Sequence, residues 1–479
     1  MPVTVCEKKG VPTFNRRDSL AQLLAELQVQ GTLVPLRDPS TLFVERSMNA
    51  GGHPTMSTRT NFGRRTARLL DDAVAVLGLP GAAAGVYLAG LSALSISVAP
   101  ETVGVDQALN VTLIVPAHNE QLNIEATVTS LLDTDYPAQH RRVVVVADNC
   151  SDETAVRARR AGADVLVRTD PINRGKGFAL EHGFTHVLAD VWTEVVVVVD
   201  ADTIVSRNLL WALTARVSAG EHAVQADYQV RNPGDSWRTR LLHIAFTAFH
   251  EVRSSGRERL GLSCGLRGNG MAFSRDALQR APHQAHSVVE DLEYGIRLAR
   301  AGIRVAYASQ AWVRGDMPAD AAASQTQRDR WEGGRRIMRR TEGRALAREA
   351  LRTRNPVLAD LAVDVYLPPL GQVVTALSIG LAVGVGTGIG ARRQRAAYVH
   401  GIGLAGVALH VGRAWQASGT GMSGLVDLAR APGYVAWKLV RRMQQACGQH
   451  EAIPTNWVRT ARAGEPVATS TMHDAGLRQ

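Results

Sequence analysis

The run 195-VVVVV-199 constrains the fold of this chain more than any other stretch. Five consecutive β-branched residues favour an extended strand, whose side chains point alternately to opposite faces. Neither face carries a polar residue, so the strand must be covered on both sides, as a central strand of a parallel sheet is. Three further runs have the same character: 111-VTLIV-115, 143-VVVVA-147 and the shorter 165-VLV-167. Between them the pattern predicts helices from about Asn119 to Leu132, over 151-SDETAVRARRAGA-163 with Ser151 or Asp152 as cap, and over 175-GKGFALEHGFTHVLA-189. Strands alternating with helices predict an α/β domain built on a parallel sheet.

The valine run ends in 200-DAD-202, two carboxylates at the tip of a buried strand. A solvated turn, a helix cap and a metal site are all open to such a pair. Two other strands also end in polar clusters, 116-PAHNE-120 and 148-DNCSD-152. Each cluster alone is ordinary turn chemistry. In an open α/β sheet, however, ligands bind outside the carboxyl ends of the strands, and three neighbouring ends would meet in one crevice. Hard divalent cations take carboxylate oxygen, and Mg²⁺ is typically held by one or two carboxylates plus substrate phosphates. A metal–diphosphate site is thus the natural chemical reading of Asp200 and Asp202. Lys176, in 173-NRGKG-177, can add positive charge for phosphates. No His/Cys set has zinc spacing, no GxxxxGK[ST] loop is present, and 268-GNGMAF-273 lacks the third glycine of a dinucleotide fingerprint.

At 479 residues the chain has room for two or three units. Three uncharged segments are candidates for the membrane: 73–100, 365–390 and the shorter 396–411, which carries His400 and His410. Gly384, Gly386, Gly388 and Gly390 would let helices approach closely in lipid. Arginine-dense amphipathic helices are expected over 326–354 and again over 433–446, at headgroup level. The net charge of +10 suits an anionic membrane or nucleic acid. Strand-end aspartates would repel nucleic-acid phosphate, so nucleic acid is not an expected partner. The four cysteines are far apart, which points to a reducing compartment. Residues 1–70 have no signal-peptide pattern, and Met56 is an alternative start.

Taken in order, 111-VTLIVPAHNE-120, 148-DNCSD-152, 200-DAD-202, 289-VED-291 and 327-QRDRW-331 resemble the successive motifs of family-2 inverting glycosyltransferases of the GT-A fold. These include membrane-bound processive enzymes of the cellulose-, chitin- and hyaluronan-synthase type. The resemblance implies a Rossmann-like nucleotide-diphospho-sugar transferase domain over 108–345 with α-helical transmembrane segments. It further implies an N-terminal extension over 1–70, a transmembrane helix over 73–100, and interface helices with QxxRW over 326–355. Two transmembrane helices over 364–412 and an interface helix with tail over 424–479 complete the expected organisation.

Residue by residue, the resemblance implies that Pro116 and His118 line the uridine pocket (many relatives have Tyr at the latter position), with Glu120 and Lys176 in the same nucleotide-sugar site. Asp148 would bind uracil, Asp200 contact the nucleotide, and Asp202 coordinate Mg²⁺ or Mn²⁺ on the diphosphate. Asp291 would be the general base, Gln327 and Arg330 would hold the diphosphate, and Trp331 would stack on the acceptor sugar. Glu290, Gly268 and Asn269 would face the acceptor, a growing β-linked glycan or, alternatively, a lipid-linked molecule receiving a single sugar. The implied setting is the cell (inner) membrane, with several spans and a cytoplasmic catalytic domain using UDP-sugar. Polysaccharide synthases of this type usually have more spans, which suggests a partner subunit, a homo-oligomer or a product shorter than polymer. Arg59, Arg64, Arg65 and Arg68 precede the first segment and Glu101 follows it, against the charge rule for a cytoplasmic catalytic domain; a spanning segment is nevertheless the expectation.

Overall fold

Successive valines of the run pack on opposite faces of the sheet. Val195, Val197 and Val199 join Leu113, Ile124 and Leu209 in one apolar cluster. Val196 and Val198 join Leu180, Phe184 and Phe273 in the other. All five valines are inaccessible to solvent, as a strand covered on both faces requires. The computed structural model describes residues 57–97, 107–317, 321–430 and 433. Phe62–Gln479 form one compact unit; Met1–Asn61 form another, of which only the helical Ser57–Asn61 are described. The N-terminal extension before residue 57, the end of the first predicted span, the helix expected over 433–446 and the tail therefore lie outside the described residues, except at Gly433.

The strands are β1 Val111–Ala117, β2 Arg141–Asp148, β3 Asp164–Arg168, β4 Val195–Val198, β5 Thr203–Val205, β6 Ala223–Val230, β7 Met271–Ser274 and β8 Val305–Gly315. They form one eight-stranded sheet in the order β3-β2-β1-β4-β7-β6-β8-β5. The first four are parallel, as the sequence predicts. Beyond β4 the sheet is mixed: β7 is antiparallel to β4 and β6, and β5 is antiparallel to β8. The fully parallel expectation is thus corrected. A parallel strand needs a crossover back to the starting edge. Here the loop 264–270 delivers the chain to the carboxyl end of β4 instead, where the Gly270 amide donates to the Val198 carbonyl at 2.9 Å.

Helices Ile124–Leu132, Thr154–Arg160 and Lys176–Leu188 match the predicted three, but the first two are shorter. Asn119, expected at the helix start, has a left-handed backbone (φ +53°), and its side-chain oxygen accepts from the Ser151 amide at 2.8 Å. Residues 119–123 are therefore turns that shape the end of β1. The N-cap of the next helix is Glu153, whose side chain makes no capping bond, so the expected cap at Ser151 or Asp152 is corrected; Asp152 accepts from the Thr154 amide at 3.0 Å as a local turn bond.

Three long helices pack together: Ser57–Leu94, Leu370–Ala391 and Arg395–Ser418. By length and apolarity, two among the described residues could cross a membrane, Gly63–Leu94 and Leu370–Ala391. The third expected span, 396–411 with His400 and His410, is helical within Arg395–Ser418 but is not among the helices apolar enough to cross. Glycines allow the contacts. A Cβ at Gly380 would overlap the buried His400 ring, and one at Gly85 would overlap the Gly403 backbone. Of the flagged glycine run, Gly384 and Gly388 meet close backbone, whereas Gly386 faces open space.

Candidate active site

The carboxyl ends of β1, β2 and β4 open onto one cavity of about 1610 Å³. Its wall includes Pro116, His118 and Glu120 from the first end, Asp148 from the second, and Asp200 and Asp202 from the third. Lys176, Gly268, Glu290, Asp291, Gln327, Arg330 and Trp331 line it as well. Residues more than two hundred positions apart in the chain, Pro116 and Trp331 among them, are thus brought together at the place the strand polarity dictates.

Lys176 is the hub. It opens the helix Lys176–Leu188, and its Nζ lies 2.5 Å from Asp200 Oδ1, 2.5 Å from the Gly268 carbonyl and 3.7 Å from Glu290. Burial would pull the ammonium down, but the Asp200 and Glu290 carboxylates outweigh it and hold the group charged well above its ordinary range. Glu290 is shifted the opposite way for an acid. Burial raises it above the ordinary glutamate range, Lys176 opposes, and the adjacent Asp291 adds to the rise. Gly268 has φ +79°, so glycine suits this turn, and its carbonyl is turned toward Lys176.

Asn269 does not line the cavity; it is completely buried. Its side-chain oxygen accepts from the Asp200 amide at 3.1 Å and its nitrogen donates to Thr203 Oγ1 at 2.9 Å. The expectation of an acceptor contact is corrected: Asn269 braces the DAD turn from behind. Asp148 is nearly buried and ion-paired with Arg168 at 2.6 Å, a partner that sequence reasoning did not single out. Arg168 stands on β3, one strand over and in register with Asp148. His118 Nδ1 lies 2.8 Å from the Asp148 carbonyl, tying the first two strand ends together.

Glu290 and Asp291 start the helix Glu290–Arg300, where negative charge complements the helix dipole. Both residues also line the cavity, so their place at the helix terminus does not remove them from it. Asp291 Oδ1 accepts from the Leu292 amide at 2.8 Å, and Oδ2 faces Gly268. Gln327, Arg330 and Trp331 come from the helix Ala321–Thr341. Trp331 also packs on Phe246, with ring centroids 6.0 Å apart.

A buried ionic cluster forms part of the same wall and escaped the sequence reading. Asp364 receives Arg253, Arg257 at 2.9 Å and Arg335 at 3.0 Å, while Asp360 lies 2.8 Å from Arg257 Nε and accepts Tyr87 Oη at 2.7 Å. Arg267 lies beside it, over the Phe249 ring at 4.1 Å. Burial pulls Arg267 down to about 10, Asp364 opposes, and the like charges of Arg257 and Arg253 add to the fall. The i, i+4 spacings Arg253/Arg257 and Asp360/Asp364 were visible in the sequence, but nothing local shows that segments a hundred residues apart pair.

Among the described residues no group of three or more His, Cys, Asp or Glu converges to hold a metal ion. The pair Asp200 and Asp202 instead offers the partial donor set of an ion completed by phosphate oxygens.

Residues 108–334 match the family described as glycosyltransferase-like family 2. An uncharacterized glycosyltransferase of Mycobacterium bovis is 31% identical over 201 residues, covering 39% of this chain and 86% of its own length. A probable glycosyltransferase of Bacillus subtilis is 27% identical over 233 residues, covering 47% of this chain but only 54% of that protein. Among solved structures, a mannosyltransferase from Pyrobaculum calidifontis in complex with GDP-Man and Mn²⁺ is similar with a TM-score of 0.43 and 18% identity, over 73% of this chain and 98% of that one.

Proposed function

Because the chain belongs to the glycosyltransferase-like family 2, we propose that it is a membrane-bound, inverting glycosyltransferase that takes its sugar from a UDP-sugar. One observation carries this reading: the three polar strand ends, Lys176, and the acidic pair Glu290–Asp291 line a single cavity. In the proposed step the acceptor hydroxyl oxygen attacks the anomeric carbon on the face opposite the diphosphate. The new C–O bond forms as the bond to the β-phosphate oxygen breaks, UDP leaves with the electron pair, and the hydroxyl proton passes to the Asp291 carboxylate. Lys176, Gln327 and Arg330 supply donors and positive charge for the departing diphosphate. Asp202, with Asp200 beside it, would hold Mg²⁺ or Mn²⁺, which when bound would neutralise charge developing on that leaving group.

Two apolar helices support a membrane setting, since Leu77, Leu79, Ile379 and Ile389 on them are each more than half exposed. The catalytic domain would face the cytoplasm, where UDP-sugars are found. Extension of a β-linked polysaccharide would require further spans from a partner subunit or a second copy. Transfer to a lipid-linked acceptor needs none.

The test incubates the purified chain with a panel of UDP-sugars, with Mg²⁺, Mn²⁺ or a chelator, and analyses the product by size and anomeric configuration. Metal-dependent UDP release from one donor, with a β-linked product from an α-linked donor, is expected. Retained configuration would overturn the mechanism, and no turnover of any UDP-sugar would overturn the donor assignment. Products carrying one added sugar at all times would exclude polymer extension.

A further inference from the structure

A second cavity of about 300 Å³ adjoins the first and shares Ala245, Phe249, Trp331, Glu332, Arg335 and Pro369 with it. Its walls come from each of the three long helices: Leu88 from Ser57–Leu94, Leu370 and Gln372 from Leu370–Ala391, and His410 from Arg395–Ser418. Val365, Leu367, Pro368 and Pro369 extend the apolar side. The same lining carries Arg253, Arg335, Arg336 and Arg339 against one carboxylate, Glu332.

The charges do not cancel. Arg253 and Arg335 are held by Asp364. Among the described residues, no carboxylate pairs with Arg336 or Arg339, which lie one helical turn apart. A pocket for a neutral sugar polymer would need hydroxyl-binding side chains and aromatic platforms rather than unmatched guanidinium groups beside leucine and proline. Guanidinium forks match phosphate oxygens, and long arginine stems lie along apolar surface while their heads meet charge.

Resting on the glycosyltransferase reading above, we propose that the acceptor is an amphiphile with a phosphate-bearing headgroup. The phosphate seats on Arg336 and Arg339, the hydrocarbon chain leaves between Leu88, Leu367 and Leu370, and the reacting hydroxyl reaches Asp291 past Phe249 and Trp331, which line both cavities. The acceptor thus enters from the apolar helices, and the nucleotide enters from the strand ends.

The test measures binding to the full chain in zwitterionic nanodiscs, with UDP and Mn²⁺ present, by tryptophan fluorescence. Dodecyl phosphate, dodecanol and inorganic phosphate are titrated in separate arms. Dodecyl phosphate should bind about tenfold more tightly than either of the others, the scale of one charge-assisted hydrogen bond. Arg336→Gln and Arg339→Gln, both at accessible positions, should each lose about tenfold for dodecyl phosphate and leave UDP affinity unchanged. Equal binding of dodecanol would mean an apolar pocket with no headgroup site, and equal binding of inorganic phosphate would mean a free-anion site; either overturns the proposal. So would unchanged dodecyl phosphate affinity in both arginine variants. Failure of the protein to bind UDP would instead overturn the glycosyltransferase reading, with the dodecyl phosphate arms still reporting on the pocket.

Discussion

At the scale of single residues, the proposed mechanism gives proton transfer to Asp291 and charge compensation to Lys176, Gln327 and Arg330. Asp291→Asn keeps the shape and the hydrogen bond from the Leu292 amide but cannot accept a proton. Its kcat should fall by about 10²–10⁴-fold, the usual range for a general base, while UDP affinity measured by calorimetry stays unchanged. Gly268→Ala tests the backbone. The added methyl would stand 3.5 Å from Lys176 Nζ and 3.7 Å from Asp291, ordinary contact distances, so the cost comes from φ +79° alone. A loss of about 1–2 kcal/mol in stability is expected from denaturant unfolding, with little change in the cavity. Glu251 reports on pH. Burial, helped by Asp227 and opposed by Arg413, pushes it up to about 7. The folded state thus keeps a proton that the unfolded chain has already released, so this contribution is full below the ordinary glutamate value and disappears as pH rises through about 7. Glu251→Gln should flatten the fall in melting temperature between pH 5 and pH 8.

At the scale of elements, the parallel half of the sheet was legible because each strand announced itself by a β-branched run and a polar end. The antiparallel half was not. β7 is only Met271–Ser274, too short to show a period, and β6 alternates Gln225, Asp227 and Gln229 with apolar residues, a period that marks a strand but not its direction. Their direction depends on which edge of the sheet the preceding loop reaches, a long-range matter. The long helices show the same division. Their apolar lengths could be read directly, but their mutual contacts depend on glycines that looked no different from other glycines. Gly85 is one, with the Gly403 backbone directly against its missing side chain. Gly85→Leu should force these helices apart, lowering the melting temperature in detergent, whereas Gly386→Leu, facing open space, should not.

At the scale of the whole molecule, Arg257 couples the catalytic domain to the apolar helices. It lies on the helix Arg253–Arg259, is 1% exposed, and reaches Asp360, Asp364 and the Tyr87 hydroxyl. Arg257→Met would leave Asp360 without its ion-pair partner and weaken the hold on Asp364. A loss of about 3 kcal/mol, typical for breaking a buried ion pair, is expected by chemical denaturation, with earlier tryptic cleavage between the two parts. The sequence by itself determined that a doubly covered strand ends in two aspartates, and that two other strand ends share that polar character. It also determined two helices with membrane-like length and apolarity, because strand period and apolar run length are local properties. Only the tertiary structure decided that Asn269 braces the DAD turn rather than meeting a substrate, that Arg168 holds Asp148, and that six arginines gather beside the cavity. Those facts depend on which distant side chains share low-dielectric space, where charge pairing and burial compete, and no local pattern records that outcome.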